Sequence, residues 1–295
     1  MTGDTAAPDP AGLARQYGLT EASARPSLPE YIKQLWARRS FIMAYASARS
    51  TSKYSSHLLG QLWQVITPLL QAAIYFTLFG LLLNLRRGIE DYPAFLITGV
   101  FVFTFLTRSL NNGAKSISGR RSMIRALHFP RAVLPLSYVL VEFRQLIVSM
   151  TVLFGILLVS GQPLTPRWLL VIPAMVLQML FNLGLGLVMA RIGAGAQDVT
   201  ALLPFLTRVW FYSSGVFFDL DQRLGNLPGP LHPIIQLNPG AIFLDIYRSV
   251  LLDSHTPMQL AFGLNIWTVG AVWAVFMLIG GFIFFWQAEE SYARG

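Results

Sequence analysis

The sequence has no cysteine, which excludes a disulfide framework and a thiolate metal site. Charge is scarce as well. Asp, Glu, Lys and Arg make up 12% of the residues, against about 25% in an ordinary soluble domain. Lysine is reduced to Lys33, Lys53 and Lys115, and arginine carries most of the positive charge. No Gly-Lys pair occurs, whereas a P-loop needs Gly-Lys followed by Ser or Thr to cradle phosphates. Gly113 to Ser116 resembles one only superficially. Any ATP hydrolysis must therefore come from a second polypeptide. His-Glu-x-x-His and Gly-x-Ser-x-Gly are missing too, so neither a zinc hydrolase nor a nucleophile elbow is present. His57, His128, His232 and His255 are scattered along the chain. Catalytic residues, a metal and a bound cofactor are thus not expected on this chain.

Apolar sequence is abundant. Of 295 residues, 54% are hydrophobic and 13% aromatic. A helix needs about 20 apolar residues to cross a hydrocarbon core of about 30 Å. Unpaired backbone is not tolerated there, so long unbroken apolar runs read as helices. Six spans are expected, at about 62–85, 92–110, 132–159, 168–190, 199–218 and 262–286. The fold class is all-α: a polytopic helical membrane bundle. Residues 1–28 read as a disordered tail without a signal-peptide core,. Residues 29–58 mix Trp36, Tyr45 and aliphatics with Lys33, Arg38, Arg39 and Arg49. They suit an amphipathic helix in the membrane surface, or a soluble helix packed on a partner. Residues 219–261 are rich in proline and hold apolar stretches too short to span. They read as short re-entrant helices or as a surface loop. Residues 289–295 form a polar tail.

The net charge of +8 fits the positive-inside rule better than nucleic-acid binding. With both termini inside, Arg15, Arg25, Lys115, Arg120, Arg121, Arg125, Arg131 and Arg191 join the basic N-terminal segment on the inner side. Only Arg86, Arg87, Arg167, Arg223 and Arg248 fall outside. The expected location is a bacterial plasma membrane, crossed several times, with both ends cytoplasmic.

Charges within spans are functional candidates because lipid penalises them. They are Arg108, Glu142, Arg144 and Arg208. Glu142 and Arg208 sit at similar depth, which allows an ion pair between helices; a contact to a lipid headgroup or a proton relay are the alternatives. Aromatics cluster in the second and fifth spans. Phe101, Phe105, Trp210, Phe211, Tyr212 and Phe217 are candidates for stacking on sugar rings in a pore, or they simply pack the core and face lipid. Between the second and third spans, Arg121, Met123, Ile124, Arg125, Leu127 and Phe129 form a short amphipathic segment ended by Pro130. It could dock on a motor protein, or be a solvated basic loop.

The chain resembles the membrane subunit of type-2 ABC exporters, in the branch that exports O-antigen, teichoic acid and galactan. The resemblance rests on the segment from Tyr54 to Trp63 with Pro68 beyond it, and on Ile124 to Arg131 ahead of Leu134-Pro135. It also rests on Arg191 with Asp198-Val199, and on Leu237-Asn238-Pro239 followed by Tyr247-Arg248. It implies a homodimeric channel joined to two copies of an ABC ATP-binding subunit, which holds the ATP and Mg. It implies that 121–129 is the coupling helix, and that Asn238, Pro239, Tyr247 and Arg248 belong to an outer gate. The implied substrate is a polyprenyl-diphosphate-linked polysaccharide; the arginine bias suits a GC-rich source, for which galactan leads. An exporter of drugs or small lipids is the alternative.

Overall fold

The computed structural model describes residues 26–52, 60–83, 88–126, 129–221, 235–260, 263–290 and 292. Among them the regular structure is entirely helical. Two helices, α1 (Leu28–Ala37) and α2 (Arg39–Ser52), stand where one amphipathic helix was expected. The break falls at Arg38. Next come α3 (Trp63–Tyr75), which runs on as a π-helix over Phe76–Leu82, and α4 (Tyr92–Ser118). The short α5 (Arg121–Ala126) leads to α6 (Val133–Val159), α7 (Val171–Gly195) and α8 (Gln197–Ser213). The chain closes with α9 (Pro239–Leu251) and α10 (Ile266–Gln287). The end of the bundle that holds α1, α2 and residues 288–292 is here called the base, and the opposite end the crown.

Among the described residues, five helices are long and apolar enough to cross a membrane: Val65–Leu82, Tyr92–Ser118, Val133–Val159, Pro166–Gly195 and Ile266–Gln287. The expected span at 199–218 holds α8, whose 17 residues reach about 25 Å at 1.5 Å per residue. Its helix stops because Gly215 takes a left-handed backbone (φ +71°), which favours glycine. The chain then folds back into the core at Val216 and Phe217.

Lipid tails are as apolar as leucine, so spans associate through close packing and interhelical hydrogen bonds. Helix α7 supplies both. A Cβ on Gly184 would lie 1.9 Å from the Met277 carbonyl oxygen on α10, and one on Gly281 would lie 2.3 Å from the Gly184 oxygen. Toward α4, a Cβ on Gly113 would meet the Gly186 backbone at 2.7 Å, and one on Gly193 the Ala114 oxygen at 2.1 Å. These distances leave no room for a side chain. Gln178 donates to the Val102 carbonyl (3.0 Å) and Asn182 to the Ser109 hydroxyl (3.3 Å), both buried between α7 and α4.

At the base a buried clasp joins three distant segments. The Tyr31 hydroxyl of α1 donates to Glu289 Oε2 (2.8 Å) and accepts from the Ala132 N–H (3.1 Å). Glu289 Oε1 accepts from the Arg131 N–H (3.0 Å) and guanidinium (3.2 Å). The Trp286 indole donates to the Pro26 carbonyl (3.0 Å). The first helix, the entrance to α6 and the end of α10 are thereby held together. Helix α2 packs along α6, where Arg144 donates to the Ser47 hydroxyl (2.7 Å) and Arg49 covers the Tyr138 ring at 4.0 Å.

Two expectations follow. Gly184→Val should destabilise the folded protein by at least ~1–3 kcal/mol through overpacking, read as a lower melting temperature in detergent, whereas Gly280→Val, where a Cβ meets nothing within 4 Å, should melt like the parent. Burial raises the Glu289 carboxyl above its usual value, with Tyr31 and Arg131 opposing that rise. A carboxyl raised in the folded state holds its proton longer there than in the unfolded chain. Its contribution is therefore complete below the unfolded value of about 4.3 and is lost as pH rises through the higher folded value. Glu289→Gln should flatten that part of the melting-temperature curve; a slope equal to the parent's would assign it to other groups.

Candidate functional site

Three helices present polar faces to one another. Helix α4 contributes Val100, Thr104, Thr107, Arg108, Asn111 and Lys115, which recur every three to four residues along one face,. Helix α3 contributes Thr67, Gln71 and Tyr75 at four-residue spacing, and α8 contributes Pro204, Thr207, Arg208 and Phe211. Between them lies a cleft of about 470 Å³. It runs from Lys115 near the base to the Tyr75 and Phe211 rings, whose centroids are 5.5 Å apart. Arg108 is ten residues from the base end of α4 and Arg208 eleven from the base end of α8. Both therefore stand about 15 Å into the bundle.

The cleft is cationic. Arg108, Lys115 and Arg208 line it. The nearest carboxylate, Glu142 on α6, is only 2% exposed and sits behind Arg108, with Arg108 Nη1 4.0 Å from Glu142 Oε2. The Asn112 amide donates to Glu142 Oε1 (2.9 Å). Arg108 Nη1 is buried without a hydrogen bond among the described residues. Glu142 thus pairs with Arg108, one helix over, and not with Arg208; equal depth does not bring two residues together when another helix carries a nearer cation. Arg208 is left facing the cleft, while Arg144 faces α2 on the far side of α6. Two positively charged residues at mid-bundle are costly in lipid, and an anion in the cleft would offset that cost.

The candidate aromatics separate into groups. Phe211 lines the cleft. Tyr212 and Phe217 extend its aromatic end, with Tyr75 and Phe79 on α3; Phe79 stacks on Phe217 at 4.2 Å, and Phe217 itself is buried. Trp210 turns toward the crown, donating to Asn238 Oδ1 (2.6 Å) and meeting Phe103 edge-on. Phe101 and Phe105 are 2% exposed inside the bundle and do not reach the cleft.

At the crown, α9 is a buried helix packed against α4, α7 and α10, not a surface loop. Asn238 caps it by accepting from the Gly240 N–H (3.0 Å) and donates to the Ser214 hydroxyl (3.0 Å), with Pro239 in the first turn. Arg248, 4% exposed, donates to the Phe95, Gly215 and Val216 carbonyls, and its guanidinium lies 3.3 Å from the Phe95 ring centre. It thereby ties α9 to α4 and to the turn after α8. Tyr247 is wholly buried. At the base, α5 forms where the short helix was expected, but Ile124 is 7% exposed and turns into the bundle beside Tyr31. Met123 and Phe129 join that cluster half-buried, and Phe129 meets Phe41 of α2 at 6.0 Å. Leu127, and the side chains of Arg121 and Arg125, lie outside the described residues.

Sequence reasoning missed Lys115, Thr67, Gln71, Thr104, Thr107, Asn111 and Tyr75 as cleft residues. The signal was available for α4, where polar residues recur at three and four positions in an otherwise apolar span. It was weaker for α3, where the described cleft residues are Thr67, Gln71 and Tyr75.

Apolar spans around a cation-lined cleft define a multi-pass membrane protein. The chain belongs to the ABC-2 type transporter family, which residues 42–252 match. It is 28% identical over 238 residues to the O-antigen export system permease protein RfbA of Myxococcus xanthus, covering 78% of this chain and 89% of that protein. It is also 28% identical over 202 residues to the protein of the same name from Klebsiella pneumoniae, covering 68% and 76%.

Arg248→Met should cost ~2–4 kcal/mol, because it removes charge-assisted bonds and strips buried carbonyls of a donor. The expected readout is a lower melting temperature with α9 newly open to proteolysis; an unchanged melt would show that Arg248 does not hold α9.

Proposed function

We propose that this chain is the membrane subunit of an ATP-driven exporter, and that it moves a polyprenyl-diphosphate-linked polysaccharide outward along the α3–α4–α8 cleft. The observation that carries the reading is the cleft itself: hydroxyls, amides and three cations between helices that lipid would otherwise require to be apolar,. Diphosphate oxygens suit arginine, whose planar fork binds phosphate through paired N–H donors. Sugars suit threonine and amide side chains together with the aromatic faces of Tyr75 and Phe211. A purely apolar path would have favoured drugs or small lipids. The names of the two relatives support a glycan, and a cell-wall galactan is the leading case.

In this reading the base faces the cytoplasm, in keeping with its arginines, and the crown faces outward with α9 as part of the outer gate. ATP and Mg belong to a separate ABC subunit, because the chain has no P-loop. That subunit docks at α5. Ile124, Met123 and Phe129 anchor the helix to the bundle, which leaves Arg121 and Arg125 as the candidates for contacting the motor. Two copies of the chain form the channel. Helix α3 supports this arrangement: only 17% of its span is buried within one copy, and α8 exposes Leu202, Phe205, Leu206 and Val209 beside it.

The test is to copurify the chain with its ATP-binding subunit in lipid nanodiscs and follow transport of a diphosphate-linked glycan. Arg108→Gln with Arg208→Gln should lower export at least ten-fold per folded transporter, Arg208→Gln alone should lower it at an unchanged melting temperature, and the paired Lys replacements should restore a substantial part. Export at the parental rate would remove the cleft from the path, and response to small amphiphiles in place of glycan would favour the drug or lipid exporter.

A further inference from the structure

A second concavity, of about 410 Å³, opens at the base on the other side of the bundle from the cleft, and its walls are almost wholly apolar. Ile32 and Leu35 of α1 form one side, Leu136 and Leu187 the floor, and Ile279 and Ile283 of α10 the other side. Helix α1 is held over this groove by the Tyr31–Glu289 clasp. The groove therefore exists because α1 bridges the bundle without filling the space beneath it.

The helices that wall the groove also carry basic residues outside its apolar lining. Arg191 follows the floor residue Leu187 by one helical turn toward the base,. Its guanidinium lies 4.0 Å from the Phe284 ring centre and donates to the Phe284 carbonyl, next to the wall residue Ile283. Lys33 is exposed beside Ile32 on α1. Trp36 is 70% exposed on the same helix, with the Arg39 guanidinium 5.4 Å from its ring. Exposed tryptophan with basic neighbours marks the level of lipid headgroups. Glu30 is the acidic residue of α1, and Glu289 is turned inward to Arg131.

We propose that this groove is a specific site for an anionic phospholipid of the surrounding leaflet, with one acyl chain between α1 and α10 and the phosphate at Arg191 and Lys33. An aliphatic slot takes a hydrocarbon chain, and a cation at its polar end selects a negative headgroup. The groove lies at the depth where headgroups meet tails. A peptide would leave its backbone groups unpaired against these walls. The bound lipid serves as a wedge that fixes α1 against α10. This site is independent of the transport path proposed above, and its readout does not depend on export.

The test is native mass spectrometry of the full chain in detergent, with phosphatidylglycerol and phosphatidylcholine of identical chains added in equal amounts, beside melting curves in each lipid. The parent should retain one phosphatidylglycerol per chain at least five-fold in preference to phosphatidylcholine, and melt higher in its presence. Arg191→Gln should abolish the preference. Ile279→Trp, whose side chain is 55% exposed at the groove wall, should abolish retention; Ile283→Trp serves if that variant folds poorly. Equal retention of both lipids, or retention undiminished by either tryptophan, would reduce the site to nonspecific annular lipid and overturn the proposal. Displacement of phosphatidylglycerol by equimolar undecaprenyl phosphate would overturn it in favour of the substrate's own lipid tail.

Discussion

The bundle depends on the backbone of α7 touching its neighbours directly. In water, helices associate because apolar surface is removed from solvent; in lipid that drive is absent, and packing contacts with a few hydrogen bonds must suffice. Gly184 and Gly193 of α7, with Gly281 of α10 and Gly113 of α4, let α7 meet α10 on one side and α4 on the other at distances that a single methyl group would prevent. The buried Gln178 and Asn182 amides set the register of α7 against α4. Everything else is arranged around these three helices: α6 packs on α4 and α7 and carries α2, α3 packs on α4 and α6, and α8 packs on α4 and α7, with the cleft opening between α3, α4 and α8.

The same packing also explains how charge is tolerated at mid-bundle. Arg108 can point from α4 into the cleft because α4 is rigidly fixed from behind, and because Glu142 stands at its back on α6. Arg248 shows a different solution to the same problem. Its guanidinium donates to carbonyl oxygens and lies on a ring face, and Asp245 and Asp219 favour its charge without pairing with it directly. The first arrangement leaves a cation beside open space, as a binding site requires. The second uses its donors to tie α9 to α4 and to the turn after α8. Clasps thus hold both ends of the bundle, Tyr31–Glu289–Arg131 at the base and Arg248 at the crown.

The sequence by itself determined the membrane class, the helical fold, the absence of an ATP-hydrolysing motif and the position of most spans, because hydrocarbon imposes a length and a composition that can be counted along the chain. It also marked Arg108, Glu142, Arg144 and Arg208 as charges that lipid penalises,. Only the tertiary structure decided what they face. Pairing of Glu142 with Arg108, burial of Phe101 and Phe105, and the inward turn of Ile124 depend on which helices are neighbours and how each is rotated. In a lipid-soluble bundle most faces are equally apolar, so α7 and α10 carry almost no directional pattern along the chain. Their rotation is set by where glycine permits backbone contact, and that becomes visible only when both helices are in place.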